Sequence, residues 1–322
     1  MSAAAITEMA MSRKTIYFEP WGLGDVLIAA AIAREKPADS VLACKSRWHP
    51  LLRALLPAEI DLLGVELPYT TNSRRNAFDL DAISPLVTDP CNVLNIRGDV
   101  RDRRAARRLF PAATCRFTGW CEFLPHYSAV FDVPYAAGWL KVRNHYRAWA
   151  ELAGVAYDRL SSAYRERQRN APSNGSVTIH AGSHWPAKQY PDVAALGELL
   201  RQKGYKTHVV VGPNDPLPPA VKESDVARLV DQSLMSALSA SEFVVTNDSA
   251  ALHLAAWLGC RTLVIARVVN IGEWLPPAAR FVSSAKMPRG YRPDPRLTAN
   301  RVLEDWPGVE QVVEALLRPW DE

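Results

Sequence analysis

Phe243-Val-Val-Thr-Asn247-Asp248-Ser249-Ala-Ala-Leu-His253-Leu-Ala-Ala-Trp-Leu-Gly259 is the stretch on which the reading of this chain turns. The apolar run Phe243-Val244-Val245 reads as a buried strand. It stops at Asn247-Asp248-Ser249, and a helix then begins with small residues and a histidine. Asp or Ser at a helix start can accept hydrogen bonds from the free N–H groups there, and the helix dipole makes that end attract anions. His253 falls about one turn into the helix, so it can face a ligand resting on the N-terminus. Strand, polar turn, helix start and imidazole together suit the phosphates or sugar of a nucleotide donor. An ordinary capped helix with a solvated histidine is the plainer alternative.

Outward from this stretch the same alternation recurs. Thr15–Glu19 reads as a strand, Pro20–Gly24 as a glycine-containing loop, and Asp25–Glu35 as a helix with Val26, Leu27, Ala30 and Ile32 to bury. Val41–Cys44 is a second strand and Pro50–Leu56 a helix, with further short strands at 59–64, 92–96 and 115–118. Helix-rich sequence over 135–168 ends at Asn170-Ala-Pro-Ser-Asn-Gly-Ser176, a polar linker candidate. The pattern then restarts: strand 177–180, helix 192–203, strand 207–211, helix 234–240, strand 242–245, the His253 helix, strand 261–265 and a last helix near 309–317. Strands separated by helices indicate βαβ units and mostly parallel sheets. Two Rossmann-like domains follow, 1–168 and 177–322, joined by 169–176.

Composition bounds the function. The 322 residues favour two domains, and 48% hydrophobic content suits a sizeable core. The net charge of +4 is small. Much of the excess lies between residues 97 and 108, where arginines 97, 101, 103, 104, 107 and 108 stand against Asp99 and Asp102. Such a run could meet substrate phosphates or an anionic membrane surface, although a solvated helix face is the commoner explanation. Interleaving with acids and alanines disfavours a nucleic-acid module. Cysteines 44, 91, 115, 121 and 260 are scattered without zinc spacing, which argues for reduced thiols in the cytosol. No signal peptide and no membrane-spanning run is expected, so any membrane contact would be peripheral.

Two further motifs sit where strands give way to helices. Trp21-Gly22-Leu-Gly24-Asp25-Val26 opens like a dinucleotide fingerprint, but Leu27 stands in place of the third glycine, which argues against a nicotinamide enzyme. What remains is a loop that lets a substrate approach the backbone, with Asp25 either capping the helix or taking a proton from an attacking hydroxyl. His180-Ala-Gly-Ser183-His-Trp-Pro-Ala-Lys188-Gln-Tyr-Pro191 brings backbone N–H groups and a lysine ammonium into one loop, a plausible diphosphate cradle. His180 and His184 have no neighbouring ligand at metal spacing, and no metal site is assigned.

These blocks, in this order, resemble the heptosyltransferase family, inverting glycosyltransferases of lipopolysaccharide core assembly. Gly22-Leu-Gly-Asp25 is similar to its N-terminal loop, His180 through Pro191 to its second-domain loop, and Asp248-Ser-Ala-Ala-Leu-His253 to its Asp-Ser/Thr-Gly-x-x-His signature. Asn95-Ile-Arg97-Gly-Asp99 and Gly212-Pro-Asn-Asp215 are weaker echoes. The resemblance spans roughly residues 15–280. It implies a GT-B fold, two Rossmann-like α/β domains facing each other across a cleft, and leaves room for the last helix to pack back on the first domain. It implies a metal-independent, cofactor-free inverting displacement, with Asp25 as general base. Ser183, Lys188, Asp248, Ser249 and His253 would bind the nucleotide-sugar donor, usually ADP-heptose, and Gly22, Gly24 and Arg97 would line the acceptor side. The usual acceptor is a Kdo- or heptose-bearing lipid core, a glycolipid, which implies peripheral contact with the inner membrane from the cytoplasmic side. Ala250 in place of glycine, Gln189-Tyr190 in place of Arg-Trp, and Ala266–Trp274 without a Gly-Pro-Thr turn depart from the pattern. Another nucleotide sugar with a small-molecule acceptor, a nucleotide-sugar epimerase or hydrolase, and a non-catalytic nucleotide-sugar binding protein are the alternatives.

Overall fold

The computed structural model describes residues 14–67, 69–70, 77–96, 100–117, 144–183, 188–267, 271–284 and 305–320. The chain divides into two compact units, one of residues up to 123 with Arg147–Ala156, the other of Leu124–Tyr146 with Tyr157–Glu322.

In the first unit, strands β1 (Thr15–Phe18), β2 (Ser40–Cys44), β3 (Asp61–Gly64), β6 (Asn92–Asn95) and β7 (Thr114–Phe117) form a parallel sheet in the order β3-β2-β1-β6-β7. A small antiparallel pair, β4 (Tyr69–Thr70) and β5 (Ala77–Phe78), stands apart from it. Helix α1 (Leu23–Ala33) packs on β1 and β2 and buries every residue from Val26 to Ala33, so its pattern is that of a core helix rather than an amphipathic one. Helices α2 (His49–Leu55) and α3 (Val100–Leu109) follow β2 and β6. The arginine run is α3. Asp102, Ala105, Ala106 and Leu109 are buried at helical spacing, while Arg104, Arg107 and Arg108 face solvent. The apolar face meets Ile16, Phe18, Val41, Ala43 and Val93 of the sheet.

Helix α4 (His145–Ala153) starts in the second unit with His145 and Tyr146 and continues in the first; α5 (Tyr157–Arg169) belongs to the second. There β8 (Ser176–His180), β9 (Lys206–Val211), β10 (Val226–Arg228), β11 (Phe243–Asn247), β12 (Arg261–Ala266) and β13 (Arg280–Ser283) form a parallel sheet ordered β10-β9-β8-β11-β12-β13. Counted within each sheet, and leaving the small hairpin aside, both units follow the doubly wound plan in which the first strand lies centrally and the chain then reverses direction across the sheet. Helices α6 (Val193–Gln202) and α10 (Val309–Leu317) cover one face with Val193, Leu196, Leu200, Val312, Val313 and Leu316. Helices α7 (Asp231–Ser239), α8 (Ala250–Trp257) and α9 (Ile271–Trp274) complete the unit, and Leu252 and Ile271 pack with Val264 and Ala266 on the opposite face.

Two expectations change here. The polar stretch 169–176 is no linker between domains but a loop inside the second unit, because its small polar residues bond to the turn before β11. Asn174 donates to the Ala240 carbonyl at 3.0 Å, and the Gly175 N–H donates to Glu242 at 2.7 Å. The last helix packs on α6, β12 and β13 of its own unit, since its apolar stripe completes that core. The turn after α8 depends on Gly259. Its φ of +86° is left-handed, and a Cβ there would lie 2.8 Å from Cβ of Arg167 on α5 and 2.9 Å from its backbone.

Candidate functional site

In a doubly wound sheet, ligands bind beyond the carboxyl ends of the strands where the chain reverses. In the second unit that point lies between β8 and β11. Asn247, 2% exposed, closes it: its Nδ2 donates to the carbonyls of Ala181 (2.7 Å) and Gly182 (3.4 Å), and its Oδ1 accepts the Tyr190 N–H at 3.1 Å. One buried amide thereby fixes both ends of the loop after β8. Tyr190 in turn is fully buried among the core residues, with its hydroxyl donating to the Pro307 carbonyl at 3.1 Å.

Lys188 and Asp248, sixty residues apart, meet in an ion pair with Nζ–Oδ2 2.7 Å and side-chain exposures of only 15% and 12%. The ammonium expected to neutralise a ligand is therefore already balanced by a carboxylate. Ser183 is buried, and its carbonyl accepts from Gln189 Nε2 at 3.1 Å. Ser249 opens α8 in an extended conformation (φ −152°, ψ 175°) without a side-chain cap bond; its Oγ lies 3.4 Å from that of Thr246. Ser183, Lys188, Asp248 and Ser249 thus gather at one end of the sheet, beside the amide groups at the start of α8.

His253 is not a solvated residue. It is 4% exposed, and its Nδ1 lies 2.9 Å from the Tyr146 hydroxyl, the two rings 5.9 Å apart. Tyr146 is itself fully buried, and burial pushes its hydroxyl well above the ordinary tyrosine range.

His180 ends β8 with its Nδ1 buried and without a hydrogen-bond partner among the described residues. Asp215 lies close by, its Oδ2 accepting the Gly212 N–H at 3.0 Å, and a Cβ on Gly182 would come within 1.9 Å of that oxygen. Only glycine at 182 leaves room for this carboxylate. Burial pushes His180 down to about 4, with Asp215 opposing the shift. The folded pKa lies below the ordinary 6.5, so between these values the unfolded chain binds more protons and stability falls as pH falls. From pH 7 to 5 this one group should remove about 2 kcal/mol. Urea unfolding of wild type and His180→Gln at both pH values checks this: the variant should lose less stability on acidification, and equal losses would show that His180 does not remain neutral.

In the first unit the corresponding point lies between β1 and β6, where buried Asn95 donates to the Phe18 carbonyl at 2.8 Å. The glycine loop follows β1. Trp21 is held by its indole, Nε1 donating to both oxygens of Asp102 at 3.1 and 3.2 Å, and its backbone N–H lies 3.4 Å from Oε1 of buried Glu19. Helix α1 begins at Leu23, two residues earlier than expected, which places Asp25 inside its first turn. The Asp25 Oδ2 accepts the N–H of Gly22, the N-cap, at 3.2 Å. The carboxylate is half-buried and shares an electrostatic neighbourhood with Lys45, which burial and Arg47 push below the ordinary lysine range while Glu66, Asp25 and Glu19 oppose this. Gly22 and Gly24 lie at this helix start. Arg97 and His184 lie outside the described residues.

Asn95, Asp102, Tyr146, Asp215 and Asn247 went unassigned in the sequence. An asparagine closing an apolar strand was a usable signal for two of them; Asp102 and Tyr146 act through partners far away in the chain, and Asp215 bonds within its own turn.

Residues 149–284 match the model of Glycosyltransferase family 9 (heptosyltransferase), a span that holds Ser183, Lys188, Asp248, Ser249 and His253 but not Asp25. No curated protein matches the chain. Among solved structures, the family 9 glycosyl transferase of Veillonella parvula DSM 2008 is 16% identical, covers 95% of this chain and 98% of its own, and superposes with a TM-score of 0.59. The E. coli heptosyltransferase WaaC with ADP is 16% identical over 83% of this chain and 92% of its own, with a TM-score of 0.52. The two parallel-sheet units and these likenesses make the fold GT-B. Among the described residues no helix is long and apolar enough to cross a membrane.

Proposed function

We propose that this chain, a glycosyltransferase by the family 9 match of its residues 149–284 and its GT-B fold, is an inverting enzyme needing neither metal nor cofactor. Its donor is a nucleoside-diphosphate sugar, first among them ADP-heptose. Its acceptor is a hydroxyl of a glycan or glycolipid such as lipopolysaccharide core. The observation that carries this reading is the Lys188–Asp248 pair beside the start of α8, a positive group and a hydrogen-bond acceptor held together at the reversal point of the second sheet.

In the reaction Asp25 takes the proton of the acceptor hydroxyl as its oxygen bonds to the anomeric carbon. The bond from that carbon to the diphosphate oxygen breaks, and the leaving nucleoside diphosphate keeps the electron pair. Lys188 and the N–H groups opening α8 stabilise the growing negative charge. Asp248 and His253 bind the sugar and phosphates, with Ser183 and Ser249 as further donors. The solvent-facing Arg104, Arg107 and Arg108 of α3 take the anionic groups of the acceptor or of the lipid surface that bears it. Reversing all three charges should weaken acceptor use and leave donor binding intact; loss of donor binding would remove this assignment.

Calorimetric titration with ADP-, GDP-, UDP- and CMP-sugars, ADP-heptose included, tests the donor. Selective binding of ADP-heptose supports heptosyl transfer, and turnover should persist in EDTA. Preference for another nucleotide sugar would keep the mechanism and change the substrate. Binding of none would overturn the proposal.

A further inference from the structure

Three consecutive residues at the start of α4 are built into the donor end of the second sheet. Asn144 caps the helix by accepting the Tyr146 N–H at 3.1 Å, and its Nδ2 donates to the carbonyls of Gly272 and Leu275, both at 2.9 Å. His145, 1% exposed, packs against Trp274 with ring centroids 3.7 Å apart and the planes tilted by 46°. Tyr146 then reaches Nδ1 of His253 at 2.9 Å. The turn after β12 and the first turns of α8 are thus tied to one short segment.

The direction of the Tyr146–His253 bond matters. A neutral imidazole that accepts at Nδ1 carries its hydrogen on Nε2 and can donate there; one that donates from Nδ1 presents a lone pair at Nε2. A lone pair toward a diphosphate would be repulsive, while an N–H would be attractive. The packing holds the phenol in place: Tyr146 has no exposed surface and lies edge-on to Tyr164 at 5.9 Å, 79°.

We propose that Tyr146 is a positioning residue for the donor site, its hydroxyl donating to Nδ1 of His253 and so presenting Nε2–H to the donor's phosphate or sugar oxygens. This rests on His253 being a donor contact. The hydroxyl of Tyr146 does not touch the substrate; it sets the tautomer and the ring orientation of the residue that does. It also links recognition to the segment 271–275, because the same helix start grips both.

Nitrogen NMR of protein labelled with ¹⁵N-histidine at neutral pH tests the pair, in wild type and Tyr146→Phe, a change that keeps the ring and removes only the hydroxyl. Wild-type His253 should show an unprotonated Nδ1 and a protonated Nε2, and the variant a mixture of tautomers. Loss of one oriented hydrogen bond should lower kcat about tenfold, with a much smaller change in donor KM. A wild-type hydrogen on Nδ1, or one unchanged tautomer in both proteins, would overturn the proposal. The wild-type spectrum decides the tautomer by itself, so failure of the variant to fold leaves the test standing. Absence of any nucleotide-sugar binding by wild type would instead sink the donor-site reading, an outcome distinct from either spectrum.

Discussion

Asp25→Asn should lower kcat by about 10²- to 10⁴-fold, the range expected for removal of a general base, while donor binding survives. The structure gives this substitution its value, because Asp25 has two candidate duties. Its Oδ2 accepts the N–H of Gly22 at 3.2 Å, which is a helix-capping contact. Asn keeps an oxygen that can accept the same hydrogen bond but has no basic carboxylate. Ala removes both, at an added cost of about 1 kcal/mol of stability for the lost cap. If Asp25 is the base, Asn and Ala lose comparable activity, and only Ala lowers the melting temperature. Activity in Asp25→Asn near the wild-type level, with a clear loss in Asp25→Ala, would leave capping as the residue's whole role. Initial rates with saturating donor, read beside thermal melts of both variants, separate the cases.

Most of the fold was legible because it is written in local pattern. Short runs rich in β-branched residues and bounded by turn signals, such as Phe243–Val245 and Val177-Thr-Ile179, read as strands covered on both faces, and the helices between them favour parallel pairing. The outer strands of the first sheet, β3 and β7, were expected, but those of the second sheet were not. Val226–Arg228 is three residues long with two of them exposed, and Arg280–Ser283 carries an exposed Phe281; these two bury too little to leave a pattern. The helix start at Leu23 was missed because Gly22, an extended N-cap without a side chain, lacks the usual capping signature. For the candidate site, the local place of each residue was legible, Lys188 in its loop and Asp248 at its helix start. Their pairing was not, since it spans sixty residues, and the same holds for Trp21–Asp102 over 81 and Tyr146–His253 over 107. The arginine run shows the limit well. Its exposed face was the expected solvated one, yet the aspartate inside it, read as one more surface charge, is completely buried and holds the indole beside the candidate base.

The Lys188–Asp248 pair leads to the second large effect. Lys188→Ala should lower kcat/KM by about 10²- to 10³-fold, the loss typical of removing one donor that stabilises developing negative charge. Asp248→Asn tests something different, because two arrangements of the same pair predict opposite signs. If Asp248 holds the ammonium where the diphosphate will arrive, removing its charge lets the lysine wander, and donor affinity falls. If Asp248 merely occupies the lysine until an anion displaces it, removing its charge frees the ammonium, and donor affinity rises. The first is expected. The flanking Asn247 is fully engaged with the loop that carries Lys188, so Asp248 is fixed by β11 while the lysine is fixed by that loop, and the two meet with little freedom. With exposures of 15% and 12%, the loss of one partner should also destabilise the unit, by about 2 kcal/mol once residual solvent access is allowed for. The combined variant Lys188→Ala with Asp248→Asn should then cost less than the two singles together, in stability as in donor binding, with a coupling of about 1–3 kcal/mol. Calorimetric donor titration and urea unfolding of the four proteins give the cycle. Additive losses would mean that the contact contributes nothing to either, and tighter donor binding by Asp248→Asn would turn the carboxylate from a guide into a competitor.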